Sequence, residues 1–377
     1  MTTGQPTLTV GDAHKPATPS TLVLHDYLTQ QGGAERVALV MAQDLGGGAI
    51  TTSAYRPEST FPEFADVDVS EILPVAAART PPRRATLAPL AAASFARHRQ
   101  RSDVVLCSSS GWSHWTSTPS PTVVYCHTPP RWFWATDDYF QAGSSRVRSG
   151  VSTVLGAGRA LDRRRARRAH TYVANSTTVR ERIRDAYGVD AQVIHPPLSL
   201  TADGPREPVE GIEPGFVLTV ARDRGYKNVN VARRVFGAGG LGQLVVVGGG
   251  APRASDRGRI VATGRVTDAQ LRWLYHSSRA VLALSQEDFG LTPVEGHAFG
   301  RPTVALRAGG YLDTCTEGIN AVFTDDLTDA AVRAAVSGLD QAGLAEDAVR
   351  ASAERYSRAA FAAALSAVLR EAVEQGS

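Results

Sequence analysis

Cysteine is scarce in this chain: Cys107, Cys126 and Cys315 are three in 377 residues, odd in number and not at metal-ligand spacing. That usage argues against a disulfide framework or a cysteine-built zinc site and suggests a reduced, cytoplasmic setting with structural thiols. Long apolar runs are missing as well. No segment reaches the ~18 consecutive apolar residues of a membrane span, although apolar residues make up 43% and suffice for globular cores. A dominant sign of charge is also missing, since 40 Lys+Arg against 37 Asp+Glu leave only +3. Nucleic acid is therefore not expected as a partner. No G-x-G-x-x-G follows a strand, so a dinucleotide fingerprint is unsupported. The opening MTTGQPTLTVGDAHKPATPS lacks the basic-then-apolar layout of a signal peptide. Residues 1–20 read as a disordered tail.

What is present is alternation. In the first half the apolar runs TLVLHDY (21–27), AITTSAY (49–55), DVVLCSS (103–109), TVVYCH (122–127), TYVANS (171–176) and QVIHPP (192–197) read as strands. Helical periods such as AERVALVMAQDL and TVRERIRDAYG lie between them. A polar stretch rich in Pro and Gly, residues 198–215, reads as a linker. The pattern then restarts with FVLTVAR, QLVVVGG, IVATGR, AVLALS, PTVALRA and NAVFT, and from about Leu344 the chain turns Ala-rich and helical. This predicts an α/β fold of two Rossmann-like domains, 21–197 and 216–343, with a cleft between them. Helices over 344–377 are expected to pack back toward the first domain. Ligands of such sheets lie beyond the carboxyl ends of the strands.

The chemistry-bearing residues fall at those ends. QEDFGLTPVEGHAFGRP (286–302) follows an apolar strand and opens a helix, with Thr292 as its expected cap and Pro293 in its first turn. Glu287 and Glu295 flank that start, where free N–H groups and a partial positive charge suit a phosphate. A plainer role for Glu295 is to close a capping box. Arg222 and Lys227 share one strand-to-helix loop and can converge on a diphosphate, although most such pairs are only solvated. Gly32 and Gly33 allow close backbone approach, or simply make a tight turn. His127 ends a strand facing the cleft, with a structural histidine as the alternative. Trp132, Phe133 and Trp134 follow it as a candidate acceptor wall or as core.

These residues in order resemble the retaining glycosyltransferases of family 4, with the GT-B fold, over nearly the whole chain. Glu287 and Glu295 match the family's Glu-x7-Glu motif, Arg222 and Lys227 its Arg-x4-Lys pair, Gly32-Gly33 its glycine loop, and His127 its cleft histidine. The wording of YCHTPPR, YVANSTTVRERI, EDFGLTPVEGHAFGRP and GGYLDT is closest to bacterial polysaccharide mannosyltransferases. One departure is Gly296-His297-Ala298-Phe299, where a run of small residues is common. The resemblance implies a metal-independent hexosyl transfer, best read as mannose from GDP-mannose, with no cofactor. Arg222, Lys227, Glu287 and His127 would act on the reacting groups. Gly32, Gly33, Val266, Phe289, Gly290, Leu291 and Glu295 would hold a GDP- or UDP-sugar donor. The acceptor would be a hydroxyl of a glycan, a lipid-linked sugar or a secondary metabolite.

Two basic stretches, 81–101 and 161–170, read as helices that could meet an anionic membrane at its inner face; a solvated basic face is the plainer reading. Asp66-Val67-Asp68 spells a metal-binding Asp-x-Asp but alternates within an expected strand. A glycan phosphorylase, a sugar-nucleotide epimerase and a non-catalytic nucleotide-sugar binder are the rival classes on the same fold.

Overall fold

Near-continuous runs of Val, Leu, Ile and Ala cannot face water on either side, so they form strands covered on both faces. The computed structural model describes residues 19–73, 84–135, 145–221, 227–248 and 258–376. Arg222 and the tail through residue 18 lie outside these. The first sheet contains β1 (Thr21–His25), β2 (Ala49–Thr52), β3 (Asp68–Glu71), β4 (Val104–Ser109), β5 (Thr122–Cys126), β6 (Thr171–Ala174) and β7 (Gln192–Val193). Its spatial order is β3-β2-β1-β4-β5-β6-β7, and its paired strands run parallel. The second contains β8 (Val217–Val220), β9 (Leu244–Val247), β10 (Ile260–Gly264), β11 (Ala280–Ala283), β12 (Thr303–Leu306) and β13 (Ala321–Thr324). Its order is β10-β9-β8-β11-β12-β13, again parallel. Two Rossmann-like sheets result, whose order reverses between β1 and β4 and between β8 and β11. Crevices open at those reversals.

Helices α1 (Gly33–Asp44), α2 (Arg84–Arg97), α3 (Ser145–Ala166) and α4 (Thr177–Tyr187) pack with the first sheet. Helices α5 (Val229–Gly237), α6 (Asp268–Ser277), α7 (Leu291–Ala298) and α8 (Asp329–Gly338) pack with the second. The last helix, α9 (Arg358–Gly376), returns to the first sheet. Phe361, Leu365, Val368 and Leu369 on it join the core around Val23, Leu106 and Tyr125. Burial of each such side chain contributes roughly 1.5–3 kcal/mol, which anchors the chain end. Arg358 adds an ion pair to Asp44 on α1 at 2.6 Å.

Local rules explain several boundaries. Ser176 caps α4 by accepting from the Val179 N–H at 3.1 Å, and Gly188 closes it at φ 69°. Thr267 and Gln270 make a reciprocal capping box on α6. β7 is only two residues long because Pro196 and Pro197 soon follow and offer no N–H. Asp68 begins the edge strand β3, and Asp66 and Asp68 are both exposed. They therefore lie at the end of the sheet opposite the cleft, where an Asp-x-Asp metal site would serve no purpose. No helix among the described residues is long and apolar enough to cross a membrane.

Candidate active site

Four strand-to-helix connections carry the candidate residues: β1 to α1, the loop after β5, β8 to α5, and β11 to α7. Lys227 meets Glu287 within the second domain, and Gly33 approaches Leu291 across the two domains. Gly32 is the N-cap of α1, and a Cβ on Gly33 would lie 3.0 Å from the Leu291 side chain at the start of α7. The glycine loop thus abuts the second domain, and a side chain at Gly33 would have to displace the end of Leu291. A cavity of about 490 Å³ is lined from both domains by Thr128, Pro129, Arg131, Trp134, Asn228 and Gln286 among others. Three of these directly follow or precede His127, Lys227 and Glu287.

Glu287 is a paired charge in the site. Its Oε1 pairs with the Lys227 ammonium and accepts from the Ser285 hydroxyl at 2.6 Å. Ser285 in turn bonds the Tyr311 hydroxyl at 2.8 Å. Burial pushes the Glu287 carboxyl up, but Lys227 and Ser285 together outweigh it and hold it below the usual carboxylate range. Glu287 is therefore ionised, and Lys227 is fixed beside it at the mouth of the second sheet.

The start of α7 differs from the expectation. Its cap is Gly290, at φ 97° and ψ 65°, not Thr292, and the helix opens at Leu291. A Cβ on Gly290 would come within 2.6 Å of the Tyr311 ring, so only glycine turns the chain here. Glu295 lies too far along α7 to close a capping box. Instead it is buried, and its Oε2 accepts from the Tyr275 hydroxyl at 2.7 Å. Burial raises its carboxyl to about 7, against smaller opposing effects of Tyr275 and Arg36. Phe289 is buried too, stacked on His195 at 5.4 Å and edge-on to Tyr356 at 5.6 Å. Its ring is a packing piece, leaving only its backbone for a ligand. Val266 is half-buried beside β10.

His127 sits at the end of β5, 7% exposed, with Nε2 bonded to the Ser108 hydroxyl at 2.8 Å. Burial pushes it down to about 3, helped by His25 and opposed by Asp26, so the ring is neutral. The aromatic trio divides. Trp134 lines the 490 Å³ cavity and donates to buried Asp162 at 2.7 Å. Trp132 packs tilted against Trp112 and, with Phe133, lines a separate groove between α2 and α3.

One residue that sequence reasoning passed over is Asp288. Its carboxylate takes Arg131 at 2.7 Å and Arg182 from the first domain, and its carbonyl accepts from Ser176 at 2.5 Å. It bridges the two domains next to Glu287. A second is Asp26, fully buried, which accepts from the N–H groups of Ser110, Trp112 and Ser113 at 2.6–2.8 Å. That arrangement pins the loop after β4 under the cleft. Neither carries a local sequence signal, because each is defined by partners at least 84 residues away.

Comparison with known proteins places this geometry. Residues 31–201 match the family model Glycosyltransferase Family 4, and residues 217–341 match Glycosyl transferases group 1. Anabaena Alr3699/HepE, solved in complex with UDP and glucose, superposes with a TM-score of 0.70 at 15% identity, covering 93% of this chain and 99% of that one. The sucrose-phosphate synthase of Thermosynechococcus elongatus superposes at 0.69 and 16% identity, covering 94% and 100%. The lipopolysaccharide outer core galactosyltransferase WaaB, in its apo form, gives 0.61 at 14% identity, covering 94% and 99%. At these identities the likeness is one of fold, the two-domain GT-B architecture. No curated protein matches the sequence.

Proposed function

On the premise that a chain carrying a Family 4 domain and a group 1 domain is a glycosyltransferase, we propose that it moves a hexose from a nucleoside diphosphate to a hydroxyl acceptor, with retention and without a metal. The observation that carries this reading is the Lys227–Glu287 pair, held at a strand end beside a cavity that both domains line. Lys227, Arg222 and the amides at the start of α7 would hold the diphosphate. Glu287 would accept from hydroxyls of the sugar and Glu295 from those of the ribose. The acceptor oxygen forms its bond to the anomeric carbon on the face that the phosphate leaves. Its proton passes to the departing phosphate, whose growing charge meets preorganised donors.

Two donors compete in this reading. The motif wording favours GDP-mannose, whereas the UDP and glucose bound by the Anabaena neighbour favour UDP-glucose. A thermal-shift panel of GDP, UDP, ADP and dTDP selects the base, because ligand at ~100 times its dissociation constant stabilises by about 2.7 kcal/mol. The reaction class is read from the products with and without acceptors. Nucleoside diphosphate marks a transferase, sugar 1-phosphate formed from a glycan and added inorganic phosphate a phosphorylase, and an isomeric sugar nucleotide an epimerase. Activity lost to EDTA and restored by magnesium or manganese overturns the metal-independent reading. A β-linked product from an α-linked donor overturns retention.

For the acceptor we favour entry past Trp134 from the first domain, where an indole can stack on a sugar ring. Peripheral contact with the inner face of an anionic membrane is a secondary part of the proposal. It is supported by the groove between α2 and α3, where Leu161 is 43% exposed and Arg97 and Arg165 flank the aromatic rings. Flotation with anionic but not zwitterionic vesicles is the expected result.

A further inference from the structure

His127, Ser108 and His25 form a buried chain under the cleft that the proposed reaction does not itself require. His25 Nδ1 lies 3.0 Å from the Ser108 hydroxyl and 3.2 Å from the Ser108 carbonyl. The same hydroxyl lies 2.8 Å from His127 Nε2. All three residues are at most 7% exposed, so each proton in the chain has few places to go.

The carbonyl decides the directions. A carbonyl oxygen only accepts, so His25 Nδ1 must carry a hydrogen to sit 3.2 Å from it. That N–H is shared between the Ser108 carbonyl and hydroxyl, whether His25 is neutral or charged. The Ser108 oxygen then accepts from His25, and its own hydrogen is free to point at His127 Nε2. In the opposite arrangement His127 Nε2–H would donate to Ser108, and Ser108 would donate to His25 Nδ1. A bare Nδ1 lone pair would then face the carbonyl, which is repulsive. A third arrangement, in which His25 Nδ1–H and His127 Nε2–H both donate to the Ser108 oxygen, would leave the buried Ser108 O–H with no acceptor among the described residues, so only the first satisfies every group.

We propose that Ser108 and His25 are positioning residues that lock His127 as its Nδ1–H tautomer, a neutral hydrogen-bond donor to an oxygen of the transferred sugar. This rests on the glycosyl-transfer reading in one respect only, that His127 acts on the reacting sugar as the family resemblance implies. Burial supports the neutral form, and among the described residues the hydrogen bonds of His127 are made by Nε2 and its backbone, leaving Nδ1 for a ligand. A neutral donor fits a glycosyl oxygen, whereas a bare imidazole nitrogen would repel its lone pairs. His127 is thereby given a binding role in the transition state and not that of a general base.

Long-range proton–nitrogen correlation spectra of the full-length protein, labelled with ¹⁵N-histidine and assigned with His127→Gln, test the lock without any substrate. The expected result is His127 protonated at Nδ1 and bare at Nε2. Ser108→Ala removes the hydroxyl and should shift His127 toward the Nε2–H form. Its kcat should fall about tenfold with little change in donor KM, the size of one lost hydrogen bond. Ser108→Thr keeps the hydroxyl and should restore both tautomer and kcat. A wild-type His127 protonated at Nε2 overturns the proposal, as does Ser108→Ala with unchanged tautomer and unchanged kcat. If wild-type protein neither binds nor turns over any sugar nucleotide, the functional reading fails instead, and the spectra still decide the tautomer.

Discussion

Arg222 and Lys227, as read here, meet a charge that grows while the phosphate leaves, whereas Glu295 meets ribose, whose charge stays constant. The two roles separate in kinetics. Arg222→Ala and Lys227→Ala should each lower kcat by ~10²–10³, the usual loss for one preorganised donor. Glu295→Gln should chiefly raise the donor KM. If all three keep normal turnover and donor affinity, the proposed site is wrong. Glu295 also predicts a pH effect. Its carboxyl is raised from 4.5 to about 7 in the fold, chiefly by burial. The stability tied to its neutral form is present below 4.5 and lost as pH rises through about 7. A ribose hydroxyl prefers the carboxylate, so donor KM should fall as pH rises through that same range. Arg36, Asp268 and Tyr275 are the groups whose titration or charge bears on it. Steady-state donor KM from pH 5.5 to 8.5 checks this, and Glu295→Gln should flatten the profile.

At the scale of elements, the apolar runs expected as strands do form both sheets, because continuous Val/Leu/Ile/Ala runs have one stable use in a chain this long. The positions of Lys227, Glu287 and His127 at strand ends were legible for the same reason. The start of α7 was not. Thr292-Pro293 is a good local cap signal, yet Gly290 takes that place because Tyr311 packs against it. Asp288 was equally invisible, since its arginines come from the other domain. Glu295 looked like a capping residue only while the helix start was misplaced. The Gly290 turn has a testable consequence. Gly290→Ala would force strain at positive φ and displace Tyr311, which steadies Ser285 and through it Glu287. Roughly 1–3 kcal/mol of stability should be lost. Turnover should fall beyond what the melting shift explains, measured well below the variant's Tm.

On the scale of the molecule, the two sheets are joined by more than their linker. Asp288 takes Arg131 and Arg182, Asp313 accepts from the Thr177 N–H at 2.6 Å, and Arg36 reaches Asp268 at 3.5 Å. All of these bonds cross between the domains that must close on a donor. The Asp288 groups are only one-fifth to one-third exposed. Two such arginines on one carboxylate are worth more than a lone surface pair, about 1–3 kcal/mol together. That shifts the ratio of closed to open molecules by roughly 5- to 150-fold. Asp288→Asn keeps the shape and the carbonyl that Ser176 bonds, but removes the charge that both arginines share. The expected outcome is a larger radius of gyration by small-angle scattering in the free protein. Saturating donor should bring it back, because ligand contacts replace the lost pair. Raising ionic strength should open the wild type in the same direction and leave Asp288→Asn less affected. An unchanged radius for Asp288→Asn, with or without salt, would mean that apolar packing of Phe289 against His195 and Tyr356 sets the closure alone.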